Sequence, residues 1–135
     1  MRKLVLVLAV VFAPAGWAAH VDAQTTHEQR AKKLKPQVGK ASIYARKFAH
    51  RKMADGRRMD PNDDNAAHKT LPLGTRALVT NLETGKSAVV TIEDRGPHVR
   101  GRIVDLSPAT AGKIGLDHKA GLARVEVRPL ELPEE

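Results

Sequence analysis

The sequence predicts one small, mainly β domain, folded as a compact barrel or sandwich. Five or six short strand-like runs follow one another with turn residues between them, and only one helix is well marked. The length of 135 residues fits one globular domain.

The N-terminal region has the layout of a secretory signal peptide. Arg2 and Lys3 precede an apolar run that is too short to span a membrane, and small residues follow it. We therefore expect cleavage after Ala23, which makes residues 1–23 the signal peptide, and export of the protein, periplasmic or secreted. The segments that follow are predicted to be a flexible tether, the folded domain and a frayed tail, at residues 24–37, 38–130 and 131–135.

The strand-like runs are rich in Val, Ile and Thr, and turn residues separate them. The connection at residues 82–86 predicts a β-hairpin, and residues 51–65 are predicted to form a long loop that leads through residues 66–68 into a turn. The predicted strands lie at residues 40–45, 76–81, 87–94, 102–106 and 123–128.

One helix is predicted over residues 109–114. Ser107 suits the N-cap, Pro108 suits the first helical position, and Gly115 stands where a helix commonly ends.

The sequence contains no cysteine. This excludes disulfides, thiol nucleophiles, zinc–thiolate sites and a cysteine-linked lipid, so we expect a fold held by its core and no stable membrane anchor. The histidines are scattered without ligand spacing, and there is no phosphate-binding loop or nucleophile elbow. We expect no metal and no cofactor.

The chain carries 23 Lys and Arg residues against 15 Asp and Glu residues, a net charge of +8. Such a charge favours anionic partners such as nucleic acid, a lipid surface or a carboxylate-bearing cell wall. Export argues against nucleic acid. So does the scarcity of aromatic side chains that could stack on bases, which beyond the predicted signal peptide are Tyr44 and Phe48. We expect a monomer.

Four polar residues lie on predicted turns next to strand ends, where catalytic side chains are often found: Asp60, His68, Asp94 and Asp105. Each also has a structural interpretation. Asp60 can start a turn, His68 can be a structural hydrogen-bonding group, Asp94 can brace Arg95, and Asp105 can accept from backbone N–H groups near the helix. The residue pattern alone leaves both interpretations open.

Seven short motifs run through most of the predicted domain. They are GKASIY at 39–44, MADG at 53–56, MD at 59–60, AAHKTLPLGT at 66–75, VTNL at 79–82, DRGP at 94–97 and GRIVDLS at 101–107. In order and spacing they resemble the rare lipoprotein A (RlpA) family of septal-ring lytic transglycosylases.

The resemblance implies a six-stranded double-psi β-barrel with one or two short helices, and peptidoglycan glycan strands as the substrate. It also suggests recruitment by division or envelope proteins. Carried over motif by motif, the catalytic acid is Asp94, and His68 and Asp60 lie in the same groove. We expect Tyr44, Arg57, Arg95 and Asp105 to bind the substrate.

A lytic transglycosylase uses the C6 hydroxyl of muramic acid as the nucleophile and leaves a 1,6-anhydro product. One carboxyl group can then serve first as acid and afterwards as base, whereas ordinary glycosidases need two. Asp94 must be protonated near neutral pH for this, which burial or a neighbouring carboxylate favours. We expect Asp60 to be that neighbour and His68 to orient the acid or the sugar. Strand alternation points Glu93 to the opposite face.

Two positions depart from the family pattern. Arg57 stands where the family has a glutamate that is thought to matter for activity, and a cation there opposes an acid role for a nearby aspartate. Arg57 can instead bind a substrate carboxylate. Ile43 stands where a tryptophan often precedes the tyrosine, so the sugar-stacking surface at Tyr44 is reduced.

Three functions fit these observations. The first is an endolytic peptidoglycan transglycosylase acting in cell wall organisation. The second is a non-catalytic, expansin-like module that binds or loosens the wall, which Arg57 favours. The third is a hydrolase that uses two carboxylates, Asp94 with Asp60 or Asp105. Anhydro ends in the product would identify the transglycosylase, and reducing ends would identify the hydrolase.

Overall fold

The computed structural model describes residues 23–134. The predicted signal peptide lies outside the described residues except for Ala23. Two helices lie within this part of the chain, α1 at Ala23–Lys32 and α2 at Pro108–Lys113, with a short 3₁₀ turn at Arg46–Phe48. The strands are β1 (Gln37–Ile43), β2 (Asn65–His68), β3 (Arg76–Asn81), β4 (Ser87–Asp94), β5 (Arg102–Leu106) and β6 (Leu122–Glu131).

The six strands close into a barrel in the order β1-β5-β2-β4-β3-β6. The pairs β1–β5 and β2–β4 are parallel, and the other four pairs are antiparallel. This arrangement confirms the predicted six-stranded double-psi β-barrel and rules out the sandwich. The predicted hairpin is confirmed too, because β3 and β4 pair with each other across residues 82–86.

Aliphatic side chains fill the barrel interior. They alternate along the strands, as expected when one face of each strand points inward and the other outward. The buried aliphatic residues on β3, β4, β5 and β6 include Ala77, Val79, Val90, Ile92, Val104, Leu106, Val125 and Val127. The barrel is therefore a packed core, and any site must lie on its outside or at its ends.

Sequence patterns located β3, β4 and β5 at their observed bounds, but they missed β2 as a strand. β2 has only four residues, all of them buried, so it shows no alternation between polar and apolar positions. It pairs with β4 on one side and β5 on the other, which places it in the middle of the wall that carries the site.

Helix α2 has the predicted N-cap, and it begins and ends one residue earlier than the predicted range 109–114. The Ser107 hydroxyl accepts a hydrogen bond of 3.2 Å from the Thr110 backbone N–H, and Pro108 occupies the first position. Gly115 follows the helix with a φ of +72°, a conformation that glycine adopts without strain.

The prediction of a flexible tether over residues 24–37 differs from the structure. Most of that segment is helix α1, and its last residue begins β1. His27 and Ala31, four positions apart on one face of the helix, are buried, and the helix packs against β6. The sequence shows no apolar stripe here because a single small alanine is enough for the close approach.

The predicted frayed tail also needs a correction. β6 continues to Glu131, and Leu132 is 9% exposed, so the first two residues of the segment 131–135 belong to the folded domain. Glu135 lies outside the described residues. Within those residues, neither helix is long and apolar enough to cross a membrane.

Candidate active site

Four residues form a row across one wall of the barrel. Ser42 on β1 pairs with Asp105 on β5, Asp105 pairs with Ala67 on β2, and Ala67 pairs with Asp94 on β4. Neighbouring strands lie about 4.8 Å apart, so the α-carbons of Asp94 and Asp105 are roughly 10 Å from each other. Ala67, which lies between them, is fully buried.

A β-bulge sets the position of Asp94 in this row. Ala66 pairs with Ile92, but the next residue, Ala67, pairs with Asp94, so Glu93 is the extra residue in β4. A bulge bends its strand and redirects the side chains that follow it. Regular alternation would point Asp94 inward like Val90 and Ile92. Because of the bulge, Asp94 instead lies beside the cluster outside the barrel that contains Ala67.

Three donors converge on the half-buried Asp94 carboxylate. The backbone N–H groups of Ala54 and Arg95 donate to Oδ1 at 3.0 and 2.9 Å, and the Tyr44 hydroxyl donates to Oδ2 at 3.0 Å. Because Oδ1 already accepts two N–H groups, Oδ2 is the oxygen that can carry a proton. A hydroxyl can both donate and accept, so Tyr44 can remain bonded to Asp94 in either protonation state.

Tyr44 is the aromatic side chain of this site. It is 8% exposed and packs with Met53, Met59 and Ala67 in a small cluster outside the barrel core. Its ring meets Phe48 edge to face, with 6.4 Å between the ring centroids. Burial and then the nearby charge of Asp94 raise the pKa of its hydroxyl, so Tyr44 stays a neutral donor. The buried ring holds Asp94, and this contact takes the place of the predicted sugar stacking.

Asp105 is the second carboxylate of the row. It accepts a short hydrogen bond from the Ser42 hydroxyl. Burial raises the pKa of Asp105, an effect that the Ser42 hydrogen bond opposes and the charge of Asp94 reinforces. His98 also lies close to it, and both side chains approach the backbone of Gly96.

The structure does not bring His68 to Asp94. Its ring is 1% exposed, and Nδ1 accepts from the backbone N–H groups of Thr70 and Leu71 at 3.1 and 3.0 Å. Nε2 lies 3.0 Å from Oε1 of Gln37 and must therefore be the protonated nitrogen that donates to it. Both nitrogens are occupied inside the protein, so neither of them bonds to Asp94, and the expected role in orienting the acid or the sugar stays a prediction. Burial lowers the pKa of His68 to about 4, so the ring is neutral.

Asp60 has the structural role that the sequence allows for it, at the start of a turn. It is exposed, and its Oδ1 accepts from the Asn62 backbone N–H at 2.9 Å, which starts the turn that Pro61 continues. In the described part of the chain its carboxylate makes no hydrogen bond within the row of Asp94 and Asp105. The expectation that Asp60 influences Asp94 is therefore not supported by the geometry.

The two predicted substrate-binding arginines are both partly engaged within the protein. Nη1 of Arg95 donates to the backbone carbonyls of His68 and Leu71 at 3.2 and 2.7 Å, so Arg95 braces the turn after β2. Nη1 of Arg57 lies 3.5 Å from Oε1 of Glu93, and the Arg57 side chain is 77% exposed. Both guanidinium groups retain further N–H donors for a ligand.

Three contributors to the site were not among the predicted site residues. Ser42 could have been found, because alternation from the buried Ala41 turns it outward beside Asp105. The Ala54 N–H donor could not, since a backbone group leaves no signature in the sequence. Glu93 was assigned to the opposite face because a bulge in β4 is not visible in its sequence.

The arrangement can hold one carboxyl group in a fixed orientation, with a second carboxylate two strands away. This suits proton transfer to and from a ligand oxygen. The described residues contain no group of three or more His, Asp or Glu side chains that could hold a metal ion.

Known structures with the same fold include a protease inhibitor and an expansin. Streptomyces papain inhibitor matches with a TM-score of 0.55 and 21% identity, covering 72% of this chain and 96% of that protein. An expansin from Clavibacter michiganensis also matches with a TM-score of 0.55, at 19% identity over 75% of this chain and 53% of that one. A variant of the Clavibacter expansin, in complex with cellohexaose, has the same TM-score at 18% identity. At these identities the likeness shows the fold alone.

Comparison with known sequences shows the family as well as the fold. The family model described as lytic transglycolase matches residues 36–127. The endolytic peptidoglycan transglycosylase RlpA of Pasteurella multocida is 49% identical over 94 residues, which cover 70% of this chain and 32% of that protein. RlpA of Neisseria meningitidis serogroup A is 38% identical over 119 residues, which cover 82% of this chain and 49% of that protein. This chain thus spans between about a third and a half of the length of these two relatives, and it belongs to the RlpA-like family of lytic transglycolase double-psi β-barrel domains.

Proposed function

We propose that this protein is an exported peptidoglycan lytic transglycosylase with Asp94 as its acid. The observation that carries the proposal is the Asp94 carboxylate, fixed by Tyr44 and two backbone N–H groups in the four-strand row. The relatives named as endolytic peptidoglycan transglycosylases support the substrate and the reaction. Export is part of the proposal, because the substrate lies outside the cytoplasmic membrane and residues 1–23 have the signal-peptide pattern.

The proposed step balances with one carboxyl group. Protonated Asp94 gives its proton from Oδ2 to the glycosidic oxygen, and the bond from the anomeric carbon of muramic acid to that oxygen breaks. The C6 hydroxyl of the same sugar attacks the anomeric carbon, which forms the 1,6-anhydro ring. The Asp94 carboxylate then accepts the hydroxyl proton and is ready for another cycle.

The defining experiment treats peptide-stripped glycan strands with the purified protein and analyses the products by mass spectrometry. We expect anhydro-muramic ends with the wild type and their loss, by at least about a hundredfold, with Asp94→Asn, because an amide cannot supply the proton. Glu83→Gln is the matched control, since it removes a carboxylate in the β3–β4 turn. That turn lies at the other end of β4, roughly 23 Å along the strand from Asp94.

Other products would overturn the proposal in defined ways. Reducing ends would identify a hydrolase that uses Asp94 with Asp105. Anhydro ends that persist in Asp94→Asn would remove Asp94 as the acid. Intact strands, with the protein sedimenting together with wall material, would identify the binding module. That second candidate is supported by the likeness in fold to an expansin that has been solved with cellohexaose. Recruitment by division or envelope proteins stays a prediction.

A further inference from the structure

A cavity lies against the loop at residues 53–57, whose Ala54 N–H donates a hydrogen bond to Asp94. Its volume is about 300 Å³, and it opens between β4, the loop at residues 53–57 and the turn before β3. Its lining mixes charged, polar and apolar groups: Asp55, Arg57, Leu73, Gly74, Thr91 and Glu93.

The loop at residues 53–57 connects this cavity to the Asp94 carboxylate. The Ala54 N–H donates to the Asp94 carboxylate, and the next N–H along, that of Asp55, donates to the Glu93 carbonyl at 3.0 Å. The loop is therefore hydrogen-bonded to two consecutive residues of β4. A ligand in this cavity would be held beside Glu93, immediately next to the residue that transfers the proton.

Glu93 is the least satisfied charged group of the cavity. Its side chain is 13% exposed, yet in the described part of the chain its carboxylate accepts no hydrogen bond. Its cation partner, Arg57, lies at 3.5 Å and is itself largely exposed to solvent. Burial, followed by the charge of Asp55, raises the pKa of Glu93. A carboxylate in this position has open acceptor sites directed at whatever fills the cavity.

The other residues that line the cavity indicate which kind of ligand could bind there. The Thr91 hydroxyl donates to Asp64, which leaves its oxygen lone pairs free to accept. One oxygen of Asp55 is used by the Arg57 backbone N–H at 2.9 Å. Leu73 adds an apolar surface. Several acceptors, one exposed cation and an apolar surface suit a ligand with many hydroxyl donors and a C–H face, which is the chemistry of a sugar ring.

We propose that this cavity is a sugar subsite next to Asp94 and that Glu93 is the carboxylate that accepts hydrogen bonds from hydroxyls of the bound glycan. The inference rests on the proposed function, because the glycan that Asp94 cleaves is the ligand expected there. Arg57 is a positioning residue, since its guanidinium lies 3.5 Å from the Glu93 carboxylate and lines the same cavity.

Binding without turnover provides the test. The full chain carrying Asp94→Asn is titrated by calorimetry with a peptide-free tetrasaccharide of alternating N-acetylglucosamine and N-acetylmuramic acid. We expect the additional change Glu93→Ala to weaken binding by about tenfold or more, the effect of losing hydrogen bonds to a charged acceptor. The matched control is Glu126→Ala, which removes the carboxylate of the Arg128–Glu126 pair on β6 and should change the affinity less than about twofold.

A second variant guards against a loss of folding. Glu93→Gln keeps the shape of the side chain, and we expect it to weaken binding less than Glu93→Ala while the melting temperature stays near that of the parent. Binding by Glu93→Ala within twofold of the parent, or no measurable binding by the parent, would overturn the inference. If the wild type binds through Glu93 and yet forms no anhydro product, the subsite stands and the proposed transglycosylase fails.

Discussion

Tyr44 connects the aromatic cluster outside the barrel with the acid that we propose. Its ring is packed against Met53, Met59 and Ala67, and its hydroxyl reaches the oxygen of Asp94 that can carry a proton. A buried tyrosine normally finds a partner for its hydroxyl, and here that partner is a carboxylate. The orientation of Asp94 therefore depends on the packing of a side chain that need not touch the sugar.

We expect Tyr44→Phe to lower the rate of anhydro-product formation by about tenfold or more, because the hydrogen bond that fixes the orientation of the Asp94 carboxylate is lost. The cost in the free energy of unfolding should be only about 1 kcal/mol, since Asp94 is half-buried and water can replace the hydroxyl. Product analysis and urea denaturation measure the two effects separately. Wild-type turnover by Tyr44→Phe would show that the hydroxyl does not position the acid.

His68 shows how a motif residue can serve the fold. Its two ring nitrogens bond to Gln37 on β1 and to the backbone of the turn after β2, so it connects elements that are far apart in sequence. Neutral imidazole can do this because one nitrogen donates and the other accepts. The family motif around it is therefore explained by the turn that it holds.

The lowered pKa of His68, about 4 against 6.5 for a free side chain, predicts a pH dependence of stability. Above pH 6.5 the His68 ring is neutral in both the folded and the unfolded chain, so its contribution to the free energy of unfolding is fully present. As the pH falls from 6.5 towards 4, the unfolded chain takes up a proton that the folded chain excludes. The free energy of unfolding should decline by up to about 3 kcal/mol across this window.

Urea denaturation at pH 7 and at pH 4.5 tests this expectation. His68→Gln should have a lower free energy of unfolding than the wild type at neutral pH. On acidification, that free energy should decline less than in the wild type, because only the remaining titratable groups contribute. The exposed His118 provides the control, and His118→Gln should keep the wild-type dependence. An equal decline in all three proteins would assign the pH dependence to other residues.

Elements, rather than single residues, decide which side chains meet. A four-residue strand, β2, places Ala67 between two carboxylates, and one extra residue in β4 moves Asp94 onto the same face. Neither feature has a clear pattern in the sequence, because β2 is buried on all sides and a bulge changes only the pairing. The loop at residues 53–57 adds the Ala54 N–H donor that completes the environment of Asp94.

Helix α1 gives an element-scale prediction. Ala31 is fully buried against β6, so Ala31→Arg must either bury a charge or detach the helix. We expect the free energy of unfolding to fall by about 2 kcal/mol. Gln29→Arg introduces the same side chain on the exposed side of the helix and should be neutral. Equal stability of the two variants in thermal unfolding would favour the tether that the sequence predicts.

At the scale of the whole molecule, the strands with regular alternation and the helix with clear caps could be predicted, and β3, β4, β5 and α2 lie where the patterns placed them. The barrel topology could not be derived from periodicity and came from the resemblance to a family. The same resemblance grouped His68 and Asp60 with Asp94. Within the described residues neither side chain bonds to Asp94, since Nδ1 of His68 accepts from the turn after β2 and Oδ1 of Asp60 accepts from the Asn62 N–H.

The strand order of the barrel has a consequence for how the chain folds. In the order β1-β5-β2-β4-β3-β6, only β3 and β4 are consecutive in the chain, so five of the six pairings join distant segments. Closing such large loops costs entropy before any contact compensates for it, and a high contact order slows folding. A newly made chain should therefore need milliseconds to seconds to reach the native barrel, and during that time the strands of Asp94 and Asp105 are not yet assembled into a site.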